Sequence, residues 1–464
     1  MTPVRTPGPF RSGGSRAPGP GVSPKKPGPT GRRLLLLMTT AFLLAPSVPA
    51  GAGTDGVTTP LPPASRRAGK SFSFRPWVSA NGRFVAFDSD SPALVAGDTN
   101  QMRDVFVHDR ATGTTDRVSL AADGTEADGQ SQRPTLSSAG RYVAFWSDAT
   151  NLVADDGNEV ADVFVVDRID GIVRRASLGP GGVEGNGNSV RPVISADGSL
   201  VAFESAARNL TPKDLLGRGT DTNSARDIFV YDLVKDETTR VSVASDGAQG
   251  AGESLRPSIS ADGRFVAFQS EVVFDASDTN KSRDVYMHDR ESGATTRVSL
   301  SDSEAQGDGG SFSPSMSADG RYVAFWSNAA NLVDGDDNAM SDVFVRDVQD
   351  GTTVRASVSS DGGEGNGDSS DPSISPDGQW VSYWSAAENL VPDDSNGMRD
   401  VFLHDVQAAE TTRVSVANDG SQADADCYAP NVGSGGDLVA FDSEATTLVA
   451  GDTNPGSDIF LHTS

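Results

Sequence analysis

Residues that many enzymes use for nucleophilic or zinc chemistry are scarce in this chain of 464 residues. It has one cysteine, Cys427, and four histidines. A single cysteine excludes an intrachain disulfide framework, and so few thiols and imidazoles leave little for a zinc site or a cysteine nucleophile. Basic residues are also the minority, with 38 Lys and Arg against 64 Asp and Glu. The formal charge of −26 argues against a nucleic-acid partner, because phosphate binding requires a basic surface.

Long hydrophobic runs are missing apart from one near the N-terminus. Residues 34–45 form an apolar run that is too short for a membrane helix and typical of a signal-peptide core. Basic residues precede it, and the small residues Ala50-Gly51-Ala52 follow it. We predict residues 1–52 to be a signal peptide with a long basic N-terminal region, and the mature chain to be secreted or held in the cell envelope. Arg32-Arg33 leaves the general secretory and twin-arginine routes both open.

The rest of the chain is one unit repeated seven times. Each unit opens on a proline, and neighbouring prolines are 57 to 65 residues apart. These prolines are Pro76, Pro134, Pro192, Pro257, Pro314, Pro372 and Pro430. A repeat of this length is typical of a solenoid or propeller and overrides the two or three domains that chain length suggests.

Each unit has the pattern of four short strands. In unit two, residues 134–137 lead through the turn 138–140 into 141–147, whose side chains alternate as in a half-buried strand. A loop of about a dozen residues precedes 162–167, and a turn leads to 173–178. Four antiparallel strands at this period indicate a propeller blade. We predict an all-β fold, a seven-bladed β-propeller over residues 73–464.

The way the ring closes has two alternatives. Unit seven ends with its third strand, residues 458–464, so its fourth strand is missing. The N-terminal segment 53–72 precedes unit one where a fourth strand would lie, and it could complete the last blade. Its prolines, among them Pro60, are tolerated only at a sheet edge. The other alternative is a three-stranded last blade.

The repeat resembles a known family, the WD-like propeller repeat of TolB-like secreted bacterial proteins. The resemblance is carried by the recurrent motifs SADGRYVAFWS at 317–327 and DVFVHDR at 104–110. It covers residues 73–464 and implies a propeller fold. It implies no single function, because such propellers serve as partner platforms, substrate gates and enzyme scaffolds.

The connections between second and third strands and between blades are both long, so they share one face of the disc, which we call the long-loop face. Loops of this kind carry function more often than tight hairpins. An Asp-x-Asn-x-x-x-Asp pattern recurs there in every unit. Its oxygen ligands suit a hard cation such as calcium, while Asp and Asn also cap turns without any metal. The candidate metal ligands are Asp98, Asn100, Asp104, Asp156, Asn158, Asp162, Asp221, Asn223, Asp227, Asp278, Asn280, Asp284, Asp336, Asn338, Asp342, Asp394, Asn396, Asp400, Asp452, Asn454 and Asp458.

One position near the end of each second strand varies while its neighbours repeat. A repeat keeps the residues that its fold needs, so a variable position is free to serve specificity. Tryptophans for stacking and acids for hydroxyl groups would together suit a sugar. Packing between neighbouring blades is the structural alternative. The candidate ligand-binding residues are Asp88, Trp146, Glu204, Gln269, Trp326, Trp384 and Asp442.

The regularity of the repeat favours a non-enzymatic function. We predict an exported, monomeric binding module without catalytic residues, whose partner on the long-loop face is another exported protein or a cell-envelope polysaccharide. The alternative is a carbohydrate-active enzyme of glycosidase type, for which Glu204 with Asp88 or Asp442 is the pair to test as acid and base.

Overall fold

The computed structural model describes residues 56–61, 71–212, 221–453 and 456–464. All of these belong to the unit Thr54–Ser464. The predicted signal peptide, most of segment 53–72 and Asn454 lie outside the described residues. No helix in the described part of the chain is long and apolar enough to cross a membrane.

Seven four-stranded antiparallel sheets confirm the predicted seven-bladed β-propeller. We label the strands of each blade a to d in their order across the sheet. The a strands are Ser73–Val78, Ser131–Leu136, Ser189–Ile194, Ser254–Ile259, Ser311–Met316, Ser369–Ile374 and Cys427–Val432. The b strands are Phe84–Ser89, Tyr142–Ser147, Leu200–Ser205, Phe265–Ser270, Tyr322–Ser327, Trp380–Ser385 and Leu438–Ser443. The c strands are Asp104–Asp109, Asp162–Asp167, Asp227–Asp232, Asp284–Asp289, Asp342–Asp347, Asp400–Asp405 and Asp458–Thr463.

The d strands are shorter and form the outer edges of the blades. In blades one to six they are Thr114–Arg117, Ile172–Arg175, Glu237–Arg240, Thr295–Arg297, Thr352–Arg355 and Glu410–Arg413. A two-residue hairpin, Leu178–Gly179 with Val183–Glu184, lies in the connection after blade two. Among the residues described, Ser434–Gly436 is the one helical turn, a 3-10 turn.

The last blade is completed from the other end of the chain. Val57–Leu61 pairs antiparallel with Asp458–Thr463, so the structure has the first of the two closure alternatives. Thr58 is buried, and its hydroxyl donates to the carbonyl oxygen of Val416 at 2.6 Å. Leu61 enters the core between blades seven and one. Pro60 lies within this strand, and the outer edge position makes its missing N–H harmless.

The core consists of layers between neighbouring blades. Each blade stacks an aromatic residue of strand b on one of strand c, as Phe325 does on Phe344 with ring centroids 5.9 Å apart. The tight a–b turns seal the layers on the face opposite the long loops. Gly320 there has a φ of 75°, and any Cβ would collide with the Phe265 ring of the preceding blade. Only glycine meets both conditions, which accounts for the recurrent Asp-Gly of this turn.

Candidate functional site

A β-bulge interrupts every a strand two residues after its start. In blade one the register shifts between Phe74 and Trp77, so that Arg75 and Pro76 together face a single residue of strand b. The residue before each proline has a φ between 47° and 54°, in the left-handed region. Such a backbone costs a non-glycine residue about 1–2 kcal/mol, and a bulge redirects its side chain. We call these the bulge residues: Arg75, Arg133, Arg191, Arg256, Ser313, Asp371 and Ala429.

The seven bulge residues surround the central channel near the start of strand a, which is its end on the long-loop face. We call this end the channel mouth. It encloses a cavity of about 430 Å³. Four consecutive blades contribute an arginine, while the other three contribute a serine, an aspartate and an alanine. The mouth of an acidic protein is therefore lined by an arc of positive charge.

The four guanidinium groups are close enough to affect one another. Burial and then the charges of Arg191, Arg75 and Arg256 lower the pKa of Arg133 to about 9, so that it stays charged at neutral pH. Arg256 forms an ion pair with Asp371 at 3.0 Å across the channel. Among the residues described, the side chains of Arg75 and Arg133 make no hydrogen bond or ion pair. An anion in the channel would relieve this repulsion.

The predicted carboxylates and Gln269 lie directly behind the bulges. Three of these side chains each accept a hydrogen bond from the backbone N–H of the bulge residue in the next blade. Asp88 accepts from Arg133 at 3.1 Å, Gln269 Oε1 from Ser313 at 2.8 Å and Asp442 Oδ1 from Arg75 at 3.1 Å. These side chains thus accept a hydrogen bond from a backbone N–H that the bulge leaves unpaired between strands a and b.

Two of these acids also border cavities. Asp442 is 5% exposed and lines the channel mouth. Burial is the largest cause that raises its pKa, to about 7, and the charges of Asp88 and Asp371 act in the same direction. The backbone N–H and the positive charge of Arg75 act in the opposite direction. Glu204 is fully buried, with Arg191 Nε 2.7 Å from its Oε1. Burial raises the pKa of Glu204 and of Asp88 as well.

The three predicted tryptophans are half-buried and have different surroundings. Trp326 stacks on Phe312 with centroids 4.3 Å apart and borders a second cavity beside the channel mouth. Trp384 carries the Arg399 guanidinium over its ring at 5.0 Å. Trp146 packs against the core between blades two and three. A ligand-binding role for the seven variable residues stays a prediction.

The Asp-x-Asn-x-x-x-Asp loops hold an arginine side chain. In blade two, Arg175 Nη1 lies 2.9 Å from Asp156 Oδ1 and 3.2 Å from Asp162 Oδ2. Asn158 Nδ2 donates to Asp162 Oδ2 at 2.8 Å and to the Gly185 carbonyl oxygen at 3.1 Å. We call this arrangement the arginine clasp. Its arginines in blades one to six are Arg117, Arg175, Arg240, Arg297, Arg355 and Arg413.

One clasp brings three carboxylates within reach of a single cation. Asp336, Asp342 and Glu364 of blade five could together hold a metal ion. Arg355 Nη1 lies 3.3, 3.6 and 2.9 Å from their oxygens, so a guanidinium already supplies positive charge there. In blade seven, Pro60 stands opposite Phe460 at the position that Arg413 takes opposite Phe402 in blade six.

Neither set of arginines was singled out from the sequence. The Arg-Pro dipeptide in four of the seven units is a visible signal for the channel mouth, since the prolines themselves define the repeat. The arginine that closes strand d in units one to six is an equally regular partner for the Asp-x-Asn loops.

Comparisons with known proteins agree on the fold. No family model matches the sequence, and no curated protein matches it. An oligogalacturonate lyase from Vibrio parahaemolyticus is 12% identical, with a TM-score of 0.52 over 88% of this chain and 93% of that one. An oligogalacturonate lyase in complex with manganese is 14% identical, with a TM-score of 0.51 over 88% and 92%. The putative TolB from Agrobacterium tumefaciens is 18% identical, with a TM-score of 0.38 over 65% and 84%.

These identities show a shared fold. Two of these solved structures are nevertheless oligogalacturonate lyases, and this finding contradicts our prediction of a non-enzymatic binding module. The prediction was wrong because it took the regularity of the repeat as a sign that no site is built on it.

Proposed function

We propose that this protein is a carbohydrate-active enzyme that binds an acidic, uronate-containing oligosaccharide in the channel mouth. The observation that carries the proposal is the arc of Arg75, Arg133, Arg191 and Arg256. Arginine matches a carboxylate with two parallel N–H donors, and its strength in that role grows in a partly desolvated site. The oligogalacturonate lyases share this fold, and oligogalacturonate belongs to the same chemical class.

The channel mouth also offers an acid–base group. Asp442 has a pKa of about 7, the range in which a carboxyl can both take and return a proton near neutral pH. In an elimination, arginines neutralise the uronate carboxylate and make the C5 proton more acidic. Asp442 takes that proton, the C5–H electrons form the C4=C5 double bond, and the C4–O bond breaks with its electrons on the leaving oxygen. Asp442 then returns the proton to this oxygen.

The experiment compares elimination with hydrolysis. Purified protein is incubated with oligogalacturonates and with a neutral galacto-oligosaccharide, and both ultraviolet absorbance of unsaturated uronate and new reducing ends are followed. We expect absorbance from the acidic substrate alone, reduced at least a hundredfold in Asp442→Asn and in Arg133→Ala. Ala429→Ser changes the same repeat position without charge and is the control.

Two results would contradict parts of this proposal. New reducing ends without ultraviolet absorbance would replace elimination by hydrolysis. Equal cleavage of the neutral sugar, or full activity in Arg133→Ala, would overturn the role of the arginine arc.

Manganese does not fit the channel mouth of this chain. The described residues that line it include four arginines and two carboxylates, Asp371 and Asp442, with no group of three metal-ligating side chains. The four histidines lie in different blades, and one ring nitrogen of each meets a threonine of strand d, as His404 does with Thr411 at 2.9 Å. We therefore derive no step through a metal, and for the Asp-x-Asn loops we propose arginine rather than calcium as the counter-cation.

We also propose that the protein is exported and meets its substrate as a monomer, with a cell-envelope or environmental polysaccharide as the source. The support is the basic N-terminal region, the apolar run 34–45 and the small residues after it.

A further inference from the structure

A second cavity opens beside the channel mouth between blades three, four and five. We call it the side pocket. It has a volume of about 270 Å³ and shares Arg191, Arg256 and Ser313 with the channel mouth, so the two cavities adjoin. Their volumes together fall in the range of about 300 to 1,000 Å³ that is usual for ligand sites.

The charges that line the side pocket are mainly positive. Arg226 and Arg283 join the two shared arginines. Arg226 pairs with Glu253 at 3.0 Å, and Arg283 pairs with Glu271. Both of those glutamates are more than a third exposed, and exposed ion pairs are worth only about 0–1 kcal/mol. A ligand carboxylate can therefore take over these donors at little cost.

The remaining lining suits a sugar ring with hydroxyl groups. The stacked pair of Trp326 and Phe312 forms a flat apolar wall of the kind on which sugar rings pack. Glu204 lines the same pocket, fully buried, with Arg191 Nε 2.7 Å from its Oε1 and the backbone N–H of Arg256 beside its carboxylate. A carboxylate can accept more hydrogen bonds than these two groups supply, and a sugar hydroxyl would donate a further one.

We propose that the side pocket is a second uronate subsite, so that the protein binds two linked acidic sugars better than one. One sugar lies at the arginine arc, and the next stacks on Trp326 with its carboxylate toward Arg226 and Arg283 and a hydroxyl toward Glu204. This inference rests on the proposed function and adds the length of its substrate. It assigns Trp326 as a specificity residue, whereas the tryptophans of blades two and six have other surroundings.

The test measures binding of galacturonate and digalacturonate by isothermal titration calorimetry. All proteins carry Asp442→Asn, so that the dimer is not consumed. We expect the dimer to bind about tenfold more tightly than the monomer, as one charge-assisted contact and one stacking contact would give. Trp326→Ala and Arg226→Gln should each abolish this gain and leave monomer affinity unchanged. Arg264→Gln removes a paired arginine on the opposite face and should change neither value.

Each other outcome has a definite meaning. If both sugars bind equally well, or if neither variant weakens the dimer, the subsite is absent while the proposed function stands. If both variants weaken monomer and dimer by the same factor, Trp326 and Arg226 belong to the structure of the mouth and the subsite is again wrong. If neither sugar binds, the proposed function fails and the subsite fails with it.

Discussion

Asp442 and Asp167 are both buried aspartates, and their surroundings shift their pKa values in opposite directions. Burial raises the pKa of Asp442 to about 7, whereas the hydrogen-bonded Arg141 guanidinium lowers the pKa of Asp167 to about 2. A raised carboxyl pKa means that the folded state favours the protonated form. At low pH Asp442 therefore costs the folded state no stability. As pH rises from its ordinary pKa of 3.8 through about 7, the buried carboxyl lowers the free energy of unfolding more and more.

This sign gives a prediction for Asp442→Asn. The variant keeps a neutral acceptor for the Arg75 amide, so it should match the wild type near pH 4 and exceed its free energy of unfolding by up to about 4 kcal/mol above pH 7. Asp167→Asn is the control with the opposite sign, less stable than the wild type above pH 4. The stability of both variants is measured by thermal denaturation at about pH 4.5, 6 and 8, which span the range between the two pKa values of Asp442. Parallel curves for Asp442→Asn and wild type would show that Asp442 is ionised in the fold at every pH.

At the scale of the structural element, the arginine clasp ties the b–c loop to strand d in the same blade. Arg355→Met leaves Asp336 and Asp342 buried without their counter-ion, and breaking a buried pair in this way costs about 3–5 kcal/mol. Arg321→Met removes a more exposed arginine from the same blade and should cost about 1 kcal/mol or less. The loss is read from chemical denaturation.

The same variant tests which cation the loops hold. A chelator should leave the melting temperature of the wild type unchanged, because a guanidinium takes the cation position. In Arg355→Met, calcium should raise the melting temperature, since three carboxylates then face an open position. A wild-type protein that melts earlier in chelator would instead contain a structural metal.

The blades were predictable from the sequence because seven copies average out local ambiguity. Alternation in residues such as 141–147, the Asp-Gly turns and the fixed spacing of prolines all give the same interpretation. The bulge was not predictable, because a residue before proline normally avoids helical backbone angles and nothing local indicates that Arg133 adopts a φ of 53°. The channel mouth depends on that bulge, so its arginines could be seen in the sequence while their convergence could not.

At the scale of the whole molecule, stability depends on one strand that joins the two ends. Thr58 and Thr59 are neighbours in that strand, and only Thr58 is buried. Thr58→Ala loses the hydrogen bond to Val416 and should cost about 1–3 kcal/mol, whereas Thr59→Ala should change stability by less than about 0.5 kcal/mol. Deletion of residues up to Leu61 removes the ladder and should cost roughly 5 kcal/mol. Similar melting of the two Thr variants would show that the Thr58 hydrogen bond adds no stability, and an unchanged melting temperature after the deletion would show the same of the closing strand.

The pairing of Val57 with Thr463 also sets when the ring can close during synthesis of the chain. Val57–Leu61 is synthesised some 400 residues before its partner Asp458–Thr463, so this outer strand stays unpaired until blade seven has been made. Contacts across some 400 residues form slowly, because a long loop must close before any of them is gained. During that interval the ring stays open, and blades one and seven each lack one of their two neighbours.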